Sequence, residues 1–397
     1  MNTIVVLNNG GAQRGHSVFY QNKVYNNKHF GSASCLGSAT FFGPMFIMDP
    51  MQFTQEYNLN WIKSPPAVFR HTDCRWVTPF DIIINQNNAL YRGIHNTCGM
   101  GIWKTIQRFS NSRFKWSFDE FMSNTYEQRY NYVNNIADWY QSNLLKDELL
   151  PEYAPFFTDL VLRKGLIDHF ISDCELMFRT TRSVNNYEFI KLFQNIIFEN
   201  GQGLAIGDNG SNDSEKTPSY TGLKTLDTNF ISLLQDCIES FTIHYVSRTY
   251  ETRHGDDESF SPVKRKLISS YIKEDFNNHY NQWQGEFKYN ALNSMLLTQR
   301  ILKDLNDLNP IIRNKQITKT ILELTHCDEI GPENIVCNVV DEIHLVRRLM
   351  RNSNGKIISA YQWNTAYEFI PEKEQFELWK EQIKYTLQSP NIKFEEI

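Results

Sequence analysis

An apolar run, Thr3–Leu7, opens directly into Asn9-Gly10-Gly11-Ala12-Gln13-Arg14-Gly15-His16-Ser17-Val18, and this junction constrains the chain more than any other segment. Five residues rich in Ile and Val read as a buried strand. The glycines that follow permit backbone conformations and close approaches that a side chain forbids, so N–H groups in such a turn can meet a ligand directly. A histidine held at the end of the turn can donate a proton to an oxygen that is gaining negative charge. Taken alone, the segment also fits a simpler reading, a glycine-rich turn whose histidine is satisfied within its own loop.

The rest of the chain supplies the frame for such a turn. Short apolar runs at 4–7, 45–48, 82–84, 195–198, 241–246 and 335–340 read as strands. Amphipathic stretches at 118–143, 154–172, 230–239 and 291–308 lie between them and read as helices. Strands alternating with longer helices predict an α/β fold, with a large, mostly parallel central sheet covered on both faces. The 397 residues, 41% of them apolar, are enough for one large domain over 1–397. Polar, glycine-bearing stretches at 207–222 and 255–261 read as loops, and no internal repeat or linker divides the sequence.

A net charge of −5 argues against general nucleic-acid or membrane-surface binding, and no apolar run is long enough to span a bilayer. Seven cysteines are scattered with no Cys-x-x-Cys pair, which favours reduced thiols, no metal site and a cytoplasmic protein.

Several segments, in order, resemble adenylosuccinate synthetase. The opening turn is similar to that family's Gly-Gly-Asn-Asn-Ala-Gly-His-Thr. Lys28-His29-Phe30-Gly31-Ser32 resembles its Leu-Pro-Ser-Gly turn, and Phe46-Ile47-Met48-Asp49-Pro50 resembles Val-Val-Ile-Asp-Pro. Thr78-Pro79-Phe80-Asp81, Asn85-Gln86 and His95-Asn96-Thr97-Cys98-Gly99-Met100-Gly101-Ile102 look closer to the phage branch, which joins aspartate to a deoxyguanylate. Phe198-Glu199-Asn200-Gly201-Gln202-Gly203 resembles Phe-Glu-Gly-Ala-Gln-Gly, and Thr217-Pro218-Ser219-Tyr220-Thr221 stands where the family has Thr-Ser-Ser-Asn-Thr. Tyr250-Glu251-Thr252-Arg253-His254-Gly255 and Thr325-His326-Cys327-Asp328 resemble Tyr-Thr-Thr-Arg-Val-Gly and Thr-Lys-Leu-Asp. One tetrapeptide is weak evidence; a collinear series is strong.

The resemblance implies a P-loop-related fold and GTP- or ATP-dependent ligation of aspartate to IMP or dGMP with Mg²⁺, in a homodimer. It makes His16 the catalytic residue. It places Gln13, Gly15, Ser17, Thr97, Cys98, Gly99, Gln202, Thr217, Arg253, His254 and Gly255 around the substrate nucleotide. Asp328 then reads a guanine, whose two N–H donors a carboxylate can accept. Arg108 or Arg113 reaches a phosphate across the dimer interface. Read by residue type alone, Asp328 can equally cap a turn, Gln202 can satisfy backbone amides, and the arginines can be solvated.

Three departures bear on activity. The family's first strand and Gly-Asp-Glu-Gly-Lys-Gly loop, which supplies the base and helps to hold Mg²⁺, have no counterpart in the sequence. The arginine-bearing Thr-Thr-Gly-Arg-x-Arg loop is matched by Asn277-Asn278-His279-Tyr280-Asn281-Gln282-Trp283-Gln284-Gly285, with no Lys or Arg between Lys273 and Lys288. The closing Ser-Thr-Gly-Pro-Asp-Arg is absent as well. Two functions are therefore expected: a catalytically degenerate relative that binds a purine nucleotide as a sensor or partner subunit, in a phage or anti-phage setting, or a working ligase whose missing loop comes from a partner chain.

Overall fold

The computed structural model describes residues 2–92, 97–143, 148–206, 220–226, 240–255, 260–275, 278–292, 294–306, 316–326, 329, 355–360 and 365–369. The packing gathers into two compact units, Met1–Leu233 with Gln282–Gln284, and Leu234–Asn281 with Gly285–Ile397.

The first unit is built on β1 (Thr3–Leu7), whose five residues are all buried. A hairpin follows, β2 (His16–Tyr20) and β3 (Lys23–Asn27), closed by Gln21 and Asn22, both at positive φ. Two positive φ values in a two-residue turn match the right-handed twist of the flanking strands. Next come β4 (Ala39–Phe42), β5 (Ile47–Met48), α1 (Pro50–Asn60), β6 (Val68–His71), β7 (Arg75–Trp76), α2 (Pro79–Arg92) and α3 (Ile102–Ser110). The unit continues with α4 (Phe118–Ser123), α5 (Tyr126–Asn143), α6 (Pro155–Thr158), α7 (Leu160–Thr180), β8 (Thr181–Val184) and β9 (Asn195–Phe198).

Five strands form the sheet in the order β8-β6-β4-β1-β9, and every pairing is parallel. The expected mostly parallel sheet flanked by helices is therefore present. β1 lies between β4 and β9, with Val5 opposite both Thr40 and Ile197. A parallel strand covered on both faces needs apolar side chains at every position, which is why Thr3–Leu7 does not alternate. One helical layer packs through the stripe Ile167, Phe170, Ile171, Cys174 and Met177 of α7, spaced at three and four residues.

Three sequence-based element assignments change. Residues 82–84 are not a strand but the middle of α2. Thr78 and Asp81 bond each other's backbone N–H groups there, a capping arrangement that commits the segment to helix. The stretch 118–143 breaks at Asn124, because Thr125 and Gln128 cap a fresh start for α5. The stretch 154–172 breaks at Asp159, which accepts bonds from the N–H groups of Val161 and Leu162 and starts α7. The strands expected at 195–198 and 241–246 are present. Residues 230–239 and 335–340 lie outside the described residues.

The second unit contains a four-stranded mixed sheet of β10 (Ser240–Arg248), β13 (Gln316–Thr325), β14 (Gly355–Ala360) and β15 (Thr365–Phe369), in the order β10-β13-β15-β14. β11 (Tyr250–Arg253) pairs antiparallel with β12 (Lys288–Ala291). Helices Lys264–Ile268 and Ser294–Asn306 belong to the same unit. Among the described residues no helix is long and apolar enough to cross a membrane.

Candidate functional site

The turn that leaves β1 is pinned from several sides. The Gly10 carbonyl accepts a bond from the Ile47 N–H (2.8 Å), and the Arg14 N–H closes the turn on the Gly11 carbonyl (3.0 Å). Gly10 sits at φ +75°, a left-handed conformation that glycine adopts without strain. Gly11 has no room for anything larger: a methyl group there would lie 2.4 Å from the Ile47 carbonyl oxygen and 3.0 Å from the Ile102 side chain. The turn therefore rests against the first residue of α3.

The turn also meets the end of β9. The Asn9 carboxamide accepts the Gly201 N–H (2.8 Å) and donates to the Tyr220 carbonyl (3.0 Å). Side-chain atoms of Gln13 and Gln202 both lie within 4 Å of the position a methyl group would take on Gly10. Both polar atoms of the Gln13 carboxamide are buried and have no hydrogen-bond partner among the described residues. Buried unpaired amide atoms are costly, and the described protein residues do not supply the partners this carboxamide needs.

His16 begins β2 and is about one-third exposed. Its Nδ1 meets the Glu199 carboxylate, which also accepts the Arg14 guanidinium, the Ser32 hydroxyl (2.7 Å) and the Ser32 N–H (2.8 Å). Burial opposes ionisation of Glu199, but Arg14, His16 and Ser32 outweigh it and hold the carboxyl down at about 2. A carboxylate on Nδ1 fixes the ring and leaves Nε2 as the nitrogen able to exchange a proton with a ligand. Arg14 is fully buried at this centre, and its Nε and Nη1 have no partner among the described residues. Neither Glu199 nor Arg14 was singled out in the sequence. Their roles depend on β1 and β9 lying side by side.

Thr97–Gly101 forms the other wall. The Thr97 hydroxyl donates to the Asn85 side-chain oxygen (2.9 Å), which also accepts the Gly101 N–H (3.1 Å). Gln86 holds the Gly99 carbonyl (3.0 Å). Gly99 and Gly101 both sit at φ +72°, and Gly101 caps α3 with no side-chain oxygen on the helix N–H groups. An uncapped helix start of this kind offers amides and a positive dipole end to an anion. Burial pushes the Cys98 thiol up, with the backbone at Met100 and Cys98 and then the Lys28 charge opposing it.

No protein-family model and no curated protein matches the sequence. Among solved structures, the chain is similar to fully ligated adenylosuccinate synthetase from Plasmodium falciparum, with 13% identity, a TM-score of 0.57, and coverage of 86% of this chain and 78% of that one. The chain has the adenylosuccinate synthetase fold. It was also matched to cyanophage S-2L succinoaminodeoxyadenylate synthetase (PurZ) bound to dGMP and dATP as an energy donor, with 10% identity, a TM-score of 0.46, and coverage of 88% and 91%.

The residues that the likeness to adenylosuccinate synthetase singles out in the first unit converge in part. Gln13, Gly15, His16, Ser17 and Gln202 lie on or against the glycine turn, and Thr97, Cys98 and Gly99 lead into the α3 start that touches it. Arg253, His254 and Gly255 belong to the second unit, where the His254 ring packs 4.8 Å from Phe287 and burial lowers its proton affinity. Thr217 and Asp328 lie outside the described residues.

Arg108 needs correction. It is fully buried, bonds both oxygens of Asp81 at 3.0 Å and donates to the Trp76 carbonyl, so it is a core ion pair and not an arm that reaches another subunit. Arg113 is exposed. Among the described residues no three His, Cys, Asp or Glu side chains gather to hold a metal. Glu199, the acid at this centre, accepts Arg14, His16 and the Ser32 hydroxyl on one oxygen and the Ser32 N–H on the other.

Proposed function

We propose that the chain binds a purine nucleoside monophosphate in the first unit. Its phosphate lies at the Thr97–Gly101 loop and the start of α3, and its base lies against Gln13 and Gln202. The observation that carries this reading is the buried, unpaired Gln13 carboxamide on a glycine turn that touches both the α3 start and the Gly201–Gln202 segment. A carboxamide offers one donor and one acceptor, which suits the adjacent N–H and C=O of a hypoxanthine or guanine edge.

In the adenylosuccinate synthetase family that the sequence resembles, the reaction is GTP- or ATP-dependent ligation of aspartate to IMP or dGMP, and in this reading His16, whose Nδ1 meets Glu199, is the counterpart of the group that exchanges a proton with the purine oxygen. We take the ligation to be lost here, with the chain acting as a nucleotide-binding sensor or partner subunit. Residues 274–287 contain no Lys or Arg to clamp a dicarboxylate. Any Mg²⁺ would arrive on the phosphates of GTP or ATP. A homodimer with Arg113 at its interface is part of the same reading.

Calorimetry with IMP, GMP and dGMP tests the binding. At least one should bind, and Gln202→Ala should weaken it by about 1–3 kcal/mol. Absence of binding by all three refutes the site. Mass spectrometry of long incubations with aspartate, GTP or ATP and Mg²⁺ tests the loss of ligation, and a succinylated nucleotide that disappears in His16→Ala would restore the enzyme.

A further inference from the structure

Gln282–Gln284 packs with the first unit, although the residues on either side of it pack with the second. The reason is Trp283. A methyl group built on Gly99 would lie 2.8, 2.9 and 3.2 Å from the indole Cε3, Cδ2 and Cγ, so the ring lies flat against the bare α-carbon of the anion loop. No other residue type at position 99 leaves space for it, and the positive φ of Gly99 independently requires glycine. The indole N–H points to the Tyr153 hydroxyl (3.4 Å), which is itself buried in the core, so the ring is held at its edge as well as its face. The side chain is half-buried and keeps part of its surface open.

An aromatic ring fixed over a phosphate-binding loop has a direct use. The base of a nucleoside monophosphate lies one sugar away from its phosphate, and bases of every kind stack on indole faces. We infer that Trp283 is the stacking platform for the base of the nucleotide whose phosphate rests on Thr97–Gly101. This deepens the nucleotide-binding reading above and rests on it. Stacking supplies affinity that is indifferent to which purine is bound, and selection falls to the polar groups of Gln13 and Gln202. Uncharged and planar, the platform favours a flat heterocycle over a carboxylate at this wall.

The test uses the full chain and compares dGMP and IMP with ribose 5-phosphate, which carries the phosphate without a base. Trp283→Ala should weaken the nucleotides about 10- to 100-fold and leave ribose 5-phosphate unchanged, and Trp283→Phe should recover most of the loss. Gly99→Ala, which evicts the ring, should reproduce the loss for nucleotides, with a melting curve confirming that each variant is folded. Equal weakening of ribose 5-phosphate would make Trp283 a scaffold for the loop and overturn the platform. Unchanged nucleotide binding in Trp283→Ala would overturn it too, while leaving the nucleotide site standing. Failure of the parent chain to bind any nucleotide would remove both.

Discussion

Replacing Glu199 with glutamine removes one charge and little volume, and the structure sets the size of the effect. The carboxyl is held at about 2 against an ordinary value of 4.5. That difference corresponds to about 3 kcal/mol of stabilisation once the group is ionised in both states. Because the folded-state value is depressed, the contribution is complete above about pH 5. It is lost as pH falls through 4.5 towards 2, where the folded protein also takes up the proton. Glu199→Gln should therefore cost about 3 kcal/mol at pH 7, and the gap to the parent chain should narrow by about half as pH falls from 5 to 3. The buried Arg14 left without a carboxylate makes that figure a floor. Urea denaturation followed by tryptophan fluorescence at pH 7, 5 and 3 reads both quantities. A gap below about 1 kcal/mol at pH 7, or one that stays constant down to pH 3, would refute the argument that Glu199 is ionised by its neighbours.

Arg108→Ala should destabilise the first unit by about 3–5 kcal/mol, because Asp81 stays buried with its cation gone, and sedimentation should show no change in oligomeric state. Asp173 behaves in the opposite sense to Glu199. Burial raises its pKa to about 6, with Asp49 adding to the effect and Thr54 and His169 opposing it. A raised carboxyl penalises the fold above pH 6 and not below about 4, so Asp173→Asn should stabilise the chain by about 1–2 kcal/mol at pH 7 and by nothing at pH 4 in the same urea assay.

The glycine turn and the strand before it were legible because both are local. Five apolar residues in a row, followed by glycines, leave few conformations, and the structure puts β1 and the turn where that pattern requires. The strand at 195–198 was legible for the same reason. Residues 82–84 misled because three consecutive isoleucines carry a strong strand signal. The capping pair Thr78 and Asp81, also plain in the sequence, outweighs it. Arg108 misled differently. Its place on an amphipathic helix gives no hint that Asp81 lies 27 positions earlier at bonding distance. Glu199 stands in the Phe198–Gly203 segment, but its partners depend on a strand pairing that spans most of the first unit.

That span has a consequence for how the protein matures. His16 and Glu199 are 183 positions apart, and Arg14 and Glu199 are 185 apart. Contacts across such separations form only after the intervening chain has given up its freedom, so they sit late in folding and slow it. Before β9 pairs with β1, the turn lacks its Gly201–Asn9 bond and neither Arg14 nor His16 has the Glu199 carboxylate to meet. Only when β9 docks against β1 does the carboxylate arrive and convert both into a fixed centre. The Arg14–Glu199–His16 cluster is thereby completed in the same event that adds β9 to the edge of the sheet.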